Sequence, residues 1–270
     1  MLFIIMVIGL TVCISAIFVF TIVELLYAKI IGKPFIVYTH LKLRKLTYKQ
    51  HEYLSTAFPP YQSLGKKKQE IFGHRVLQFI DHKEFVSRGQ LPIDEHKKLL
   101  ISATAVMLTF GMRRYLIASV KRFIIYPDAY ESVLNRAEHI GEYNPSLKTI
   151  VFSWSDFLKG HEIQNDNLNL GVHELAHALS YESLKVKDSG SILFSEGLYK
   201  IDKLLQSPDF LTQWRTKKYF RAYAQVNKYE FFAVSLEHFI ETPEKFYKEF
   251  PKLYTIVHQM LNYKFGKESA

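Results

Sequence analysis

Asn169-Leu170-Gly171-Val172-His173-Glu174-Leu175-Ala176-His177-Ala178-Leu179 sets a His-Glu-x-x-His motif inside an apolar run. The run predicts one buried helix. At 3.6 residues per turn, His173 and His177 lie one turn apart on the same face, where both imidazoles reach one metal ion. Glu174 is rotated about 100° from His173, so it can meet a metal-bound water without being a ligand. The flanking Leu170, Val172, Leu175, Ala176, Ala178 and Leu179 argue against a solvated helix face. Two polar side chains in a buried stripe need partners, and Zn²⁺ is a better partner than a second pair of core hydrogen bonds.

Working outward, the one cysteine, Cys13, excludes an intrachain disulfide and any Cys-based zinc site. A third ligand must therefore be His or carboxylate. The compact His-x-x-Gly-x-x-His continuation is absent after His177, which points to a carboxylate on a later helix. Glu230 opens an apolar helical run, Phe231-Phe232-Ala233-Val234. Glu237 lies seven residues on, near the same face, and suits either a ligand or a carboxylate that orients a histidine. Glu196 is a further candidate.

The 270 residues are 48% hydrophobic and 15% aromatic, enough for a substantial core, and the 23% of charged residues is an ordinary share. The net charge of +9 is diffuse. Its densest run, Lys66-Lys67-Lys68, lacks interleaved stacking aromatics, so direct nucleic-acid binding is not expected.

Leu2–Val23 is a stretch of 22 uncharged positions dominated by Ile, Leu, Val and Phe, sufficient to cross a hydrocarbon core of roughly 30 Å. No basic n-region precedes it and no small-x-small site follows it, which favours a retained anchor over a cleaved signal. Lys29, Lys33, Lys42, Arg44, Lys45 and Lys49 follow the span, so the positive-inside tendency places the rest of the chain in the cytoplasm.

Beyond the span, helices are expected from about Tyr38 to Ala57, Leu64 to Phe85 and Pro92 to Met112. Phe123–Tyr126 and Thr149–Trp154 read as short strands, with Gly141–Pro145 as turn chemistry between them. Asp156, His161, Glu162 and Asp166 are expected in a loop before the metal helix. Helices then follow around Phe194–Leu205, after Pro208, Asn227–Ile240 and after Pro251, and the tail from Gly266 should be loose. The fold class is α+β: one N-terminal transmembrane helix, then a mainly helical zincin-like domain with a small antiparallel or mixed sheet. The expected organisation is an anchor at 1–31, a basic juxtamembrane linker at 32–57 and a metallopeptidase domain at 58–265.

Three segments together resemble the Mlc titration factor family of zinc metallopeptidases. They are Phe152-Ser153-Trp154, Asn169-Leu170-x-x-His-Glu-Leu-Ala-His-Ala-Leu, and Tyr223-x6-Glu230-Phe-Phe-Ala-Val-Ser-x-Glu-x-Phe. Phe58-Pro59, Ile101-x-Ala103 and Ile125-Tyr126-Pro127 extend the likeness over about Ser55 to Tyr263. The resemblance implies a gluzincin-like peptidase similar to the catalytic domain of lethal-factor-type toxins. By it, His173, His177 and Glu230 would bind Zn²⁺, Glu174 would be the base and Tyr223 would donate a hydrogen bond to the oxyanion. Two departures stand out: the N-terminal span, and Ser180 where an acidic residue is common in the family pattern.

The expectation is a single-pass, cytoplasm-facing zinc peptidase acting on a peptide or protein, with an extended substrate aligned by an edge strand, for which Val151–Trp154 is the candidate. The competing reading is a regulatory protein that sequesters a protein partner such as a transcription factor. The resembled family includes one that binds a repressor of sugar uptake. A structural zinc domain fits badly, since such sites are usually Cys-rich and closed.

Overall fold

In the computed structural model, which describes residues 1–40, 42–131, 136 and 138–265, a long N-terminal helix α1 (Leu2–Ile31) precedes a mainly helical body. α1 is long and apolar enough to cross a membrane, and its first 22 residues of helix are exposed on every side. Gly32 ends it in the left-handed region, φ 71°, where a side chain would be strained.

The body opens with an extended segment rather than the helix expected from Tyr38. Val37 C=O accepts from Arg75 Nη2 at 2.9 Å, Tyr38 packs on Phe110, and His74 Nδ1 accepts from the Arg44 N–H at 2.9 Å. These contacts tie the segment to the body, so helix begins only at α2 (Tyr48–Ala57), where Thr47 and Gln50 form a reciprocal capping box. A short α3 (Pro59–Gln62) leads to α4 (Lys66–His82). Leu41 and the tail from Gly266, expected to be loose, lie outside the described residues.

α5 (Glu95–Thr109) is the centre of the body. It is apolar all round and buried from Leu99 to Thr109, as a helix without a solvent face must be. A four-stranded mixed sheet lies beside it: β1 (Glu84–Ser87), β2 (Arg122–Tyr126), β5 (Gly141–Asn144) and β6 (Thr149–Ser153), in the order β1-β2-β6-β5. β1, β2 and β6 run parallel, with α5 as the crossover between the first two, and β5 pairs antiparallel to β6. β3 (Tyr130–Glu131) and β4 (Glu138–His139) form a separate small pair.

Three local expectations are corrected. Glu84 and Phe85, expected as the end of a helix, instead open β1, where Phe85 stacks on Phe123 of β2. Gly141–Asn144, expected as a turn, is a strand. Trp154–Glu162, expected to open a polar loop, is helix α6, started by Ser153, whose Oγ accepts from the Asp156 N–H.

The remaining helices are α7 (Leu170–Lys185), α8 (Ser189–Leu205), α9 (Pro208–Lys217), α10 (Lys228–Glu241), α11 (Pro243–Glu249) and α12 (Pro251–Leu261). α7 packs on α5, α8, α10 and β5, so its polar residues face a site built by several distant segments.

Candidate metal centre

α7 begins at Asn169, whose Oδ1 accepts from the Val172 N–H at 3.0 Å. The helix is buried from Leu170 to Ala176, and two turns of it deliver His173, Glu174 and His177. α10 is started in the same way. Asn227 Oδ1 accepts from the N–H groups of Tyr229 and Glu230, which sets Glu230 in the first turn, where a carboxylate also complements the helix dipole.

The packing of α10 on α7 brings these residues together. His173 Nε2 stands 3.0 Å from Glu230 Oε2 and 3.2 Å from His177 Nε2, and His177 Nε2 lies 3.4 Å from the same carboxylate oxygen. Ligands held at roughly 2.0–2.1 Å around a tetrahedral ion such as zinc stand about 3.3 Å from one another. Two imidazole nitrogens and one carboxylate oxygen at this spacing are a donor set that fits such an ion, and they form a group able to hold a metal. Glu237 takes the other role left open by its position. Its Oε1 meets His173 Nδ1 at 2.6 Å, on the far side of the ring from Glu230. Glu196, on α8, is not part of the group.

Without a metal, burial disfavours the charged form of His173, but hydrogen bonds to Glu230 and Glu237 outweigh it and push the pKa up to about 9. Burial likewise works to raise Glu230, yet its hydrogen bonds with His173 and His177 bring it down to about 2. The assembly is a cluster of alternating charge that a cation can take over by displacing a proton.

Glu174 is buried against β5. Burial raises its carboxyl pKa, opposed by His173 and His177 and reinforced by Glu230 and Glu142. The approach to the strand is close. A Cβ on Gly141 would meet Leu170 Cδ1 and stand 2.9 Å from Glu174 Oε1, so the strand position facing the carboxylate accommodates only glycine. Tyr223, in a 3₁₀ turn at Ala222–Gln225, is half exposed, with its ring centroid 5.8 Å from that of His173. Burial, then Glu230 and Glu174, raise its phenol pKa, so it is a proton donor at neutral pH.

Two cavities of about 480 and 470 Å³ flank the group, and both include His139, Gly141, His173, Glu174 and Tyr223 in their walls. Together they form a trough passing over the histidines beside β5. β5, not the Val151–Trp154 segment, is the sheet edge next to the site. β6 is internal between β2 and β5, so the edge-strand expectation for Val151–Trp154 is overturned.

Sequence reasoning missed Arg221. Its Nη1 and Nη2 donate to Glu237 Oε2 and Oε1, both at 2.7 Å, and Nη1 also donates to Asn167 C=O. Nothing local marks this arginine. Its only sequence signal is its place two residues before Tyr223. Gly141 was also missed, since it comes from a stretch read as turn chemistry, and His139 just before it was not singled out.

A search of curated proteins finds no match to the chain. The family model described as glucose-regulated metallo-peptidase M90, a family that includes Mlc titration factor, matches residues 37–262. That match takes in the extended segment held by Arg75, the sheet, both histidines of α7 and the α10 carboxylates. The chain belongs to the glucose-regulated metallo-peptidase M90 family.

Proposed function

We infer that this protein is a membrane-anchored, zinc-dependent peptidase whose catalytic body faces the cytoplasm. Residues 1–31 form the anchor, 32–57 are a basic juxtamembrane segment that packs onto the body, and 58–265 carry the catalysis. One observation carries the reading: His173, His177 and Glu230 converge on one point, with the Glu174 carboxylate buried alongside. Zinc bound there would supply a Lewis acid that lowers the pKa of water towards about 7 and polarises the scissile carbonyl.

The chain's own groups do the rest. Glu174 takes the proton of the attacking water and delivers it to the leaving amine. Its raised pKa gives it the proton affinity this transfer requires. Tyr223 donates its hydroxyl hydrogen to the oxyanion that develops on the carbonyl oxygen. Glu237 and Arg221 hold His173 in the orientation that turns Nε2 towards the metal point. The outer edge of β5 carries no further strand among the described residues, so an extended peptide can pair with its backbone across the trough. The basic residues after α1 support a cytoplasmic body.

The test is zinc content together with hydrolysis of fluorogenic peptides by the wild type and Glu174→Gln. The variant should hold one zinc and lose about 10²–10⁴-fold in turnover. A zinc-loaded variant with full turnover would refute the assigned base.

A further inference from the structure

Glu24 departs from the rest of α1. It is 4% exposed on a helix whose preceding residues are open on all sides. Its Oε2 pairs with Arg113 Nη1 at 3.0 Å, and its Oε1 accepts from Ser189 Oγ at 3.0 Å. Ala28, one turn on, is fully buried against the body, and α1 packs along α8. Leu2–Val23 spans roughly 33 Å as helix, which matches the hydrocarbon core, so Glu24 falls at the headgroup boundary. The last two turns of α1 thus belong to the folded body, and Arg75 fixes the exit segment through Val37. A catalytic body on a loose tether would show neither contact.

The same dock orients the trough. Ser189 is the first residue of α8, joined to α7 by Val186–Asp188, and the two helices pack together as a hairpin. The hairpin tip therefore sits at the membrane surface. His173, His177, Tyr181 and Leu184 follow one another along a single face of α7 and all line the trough, which leads from the metal point towards that tip. Leu184 is 62% exposed, and Lys185 and Lys187 beside it are exposed cations at the height of lipid headgroups. From His177 to Leu184 is roughly 10 Å of helix, and Leu184 to Ser189 is at most about 18 Å of chain. The metal point is thus within about 30 Å of the bilayer surface, roughly ten residues of extended peptide.

Resting on the peptidase reading, we propose that the Glu24–Arg113–Ser189 dock holds the trough at a set height with its α7 end facing the bilayer. The substrate class it selects is the juxtamembrane segment of a membrane-anchored polypeptide, cut within about ten residues of the lipid surface.

The experiment uses the full-length protein in vesicles of phosphatidylcholine and phosphatidylglycerol. A decapeptide chosen for cleavage from a random pool is offered free in solution, or fused to a separate membrane helix through spacers of roughly 5, 15 and 40 residues. The wild type should cut the shortest-tethered form about tenfold or more faster than the longest, after correction for surface concentration. Glu24→Gln and, independently, Ser189→Ala with Arg113→Gln should flatten that dependence and leave hydrolysis of the free peptide unchanged. Equal rates at all spacers in the wild type overturn the proposal and leave the peptidase reading standing. A spacer preference that survives both sets of variants overturns the dock as its cause. If neither the free pool nor any tethered form is cut, and Glu174→Gln behaves as the wild type, the peptidase reading falls and the proposal with it.

Discussion

His173 Nδ1 meets Glu237 Oε1 at 2.6 Å, and a carboxylate oxygen at that distance accepts. The imidazole proton therefore sits on Nδ1, leaving the Nε2 lone pair of the neutral ring for the point shared with His177 and Glu230. Arg221 grips both oxygens of Glu237 and keeps that carboxylate from rotating into the metal point. Glu237→Gln should weaken zinc binding by about 10–100-fold, read by competition with a fluorescent chelator. Unchanged affinity would show that the Glu237 contact does not set the ring.

Zinc uptake should release a proton. In the metal-free protein His173 has a pKa of about 9, raised by hydrogen bonds to Glu230 and Glu237 against the opposing effect of burial. At pH 7.5 it is charged, and it must become neutral to bind. Below pH 9, apparent affinity should fall about tenfold per pH unit from this group. The raised folded pKa has a second consequence: in the metal-free protein the stabilisation from His173 is complete below its unfolded value near 6.5 and is lost as pH climbs through about 9. Calorimetric titration in buffers of different ionisation enthalpy counts the protons. A count of zero at pH 7.5 contradicts the charge assigned to His173.

Gly141→Ala should separate catalysis from folding. The added methyl would run into Leu170 Cδ1 and press on Glu174 Oε1, while neither histidine of α7 is among its nearest neighbours. Turnover should drop by about 10²-fold or more as Glu174 is pushed from its place, with zinc content near that of the wild type. Full activity in this variant would mean that the carboxylate has room to move.

Tyr223→Phe removes one hydroxyl from a half-exposed ring and should leave zinc content and melting temperature almost unchanged. A donor that acts only on the developing oxyanion lowers kcat by about 10²–10³-fold with little change in KM. A rise in KM at constant kcat would make Tyr223 a binding residue instead.

Acid should destabilise the body. His161, between the rings of Phe58 and Phe157, has its pKa lowered to about 4 by burial. His238 is brought to about 4 by burial, against the attraction of Glu237. Because both are below the unfolded value near 6.5, the unfolded chain binds more protons between these limits. Stability is complete above about pH 6.5 and is lost as pH falls towards 4. Each group adds a slope of up to about 1.4 kcal/mol per pH unit. Thermal melting from pH 7.5 to 4.5 should show a shallower acid loss in His161→Gln than in the wild type.

The helix that bears the motif was legible because its determinants are local. Apolar spacing, the Asn169 cap and the separation of His173 from His177 are all set within three turns. α1 and α5 were legible for the same reason, since uninterrupted apolarity needs no tertiary partner to be read. Less was visible where a segment's partner is remote. The Tyr38–Ala57 stretch carries helix-like spacing, but ahead of α2 the backbone at Val37 and Arg44 is tied to Arg75 and His74 of α4. Gly141–Asn144 has turn residues, yet pairs with β6, and its glycine leaves room for Glu174 of the distant α7.

By itself, then, the sequence determined the helix that carries His173, Glu174 and His177, the lack of any cysteine ligand and the apolar length of the first helix. Only the tertiary structure decided that Glu237 orients His173 while Glu230 joins the donor set. Both lie near one face of α10, and their different roles follow from how that helix crosses α7. Tertiary structure also made β5 the sheet edge, brought in Arg221 and docked Glu24 against Ser189. Each depends on contacts between segments tens of residues apart, where the pairing is set by packing of the whole body and leaves no local pattern to read.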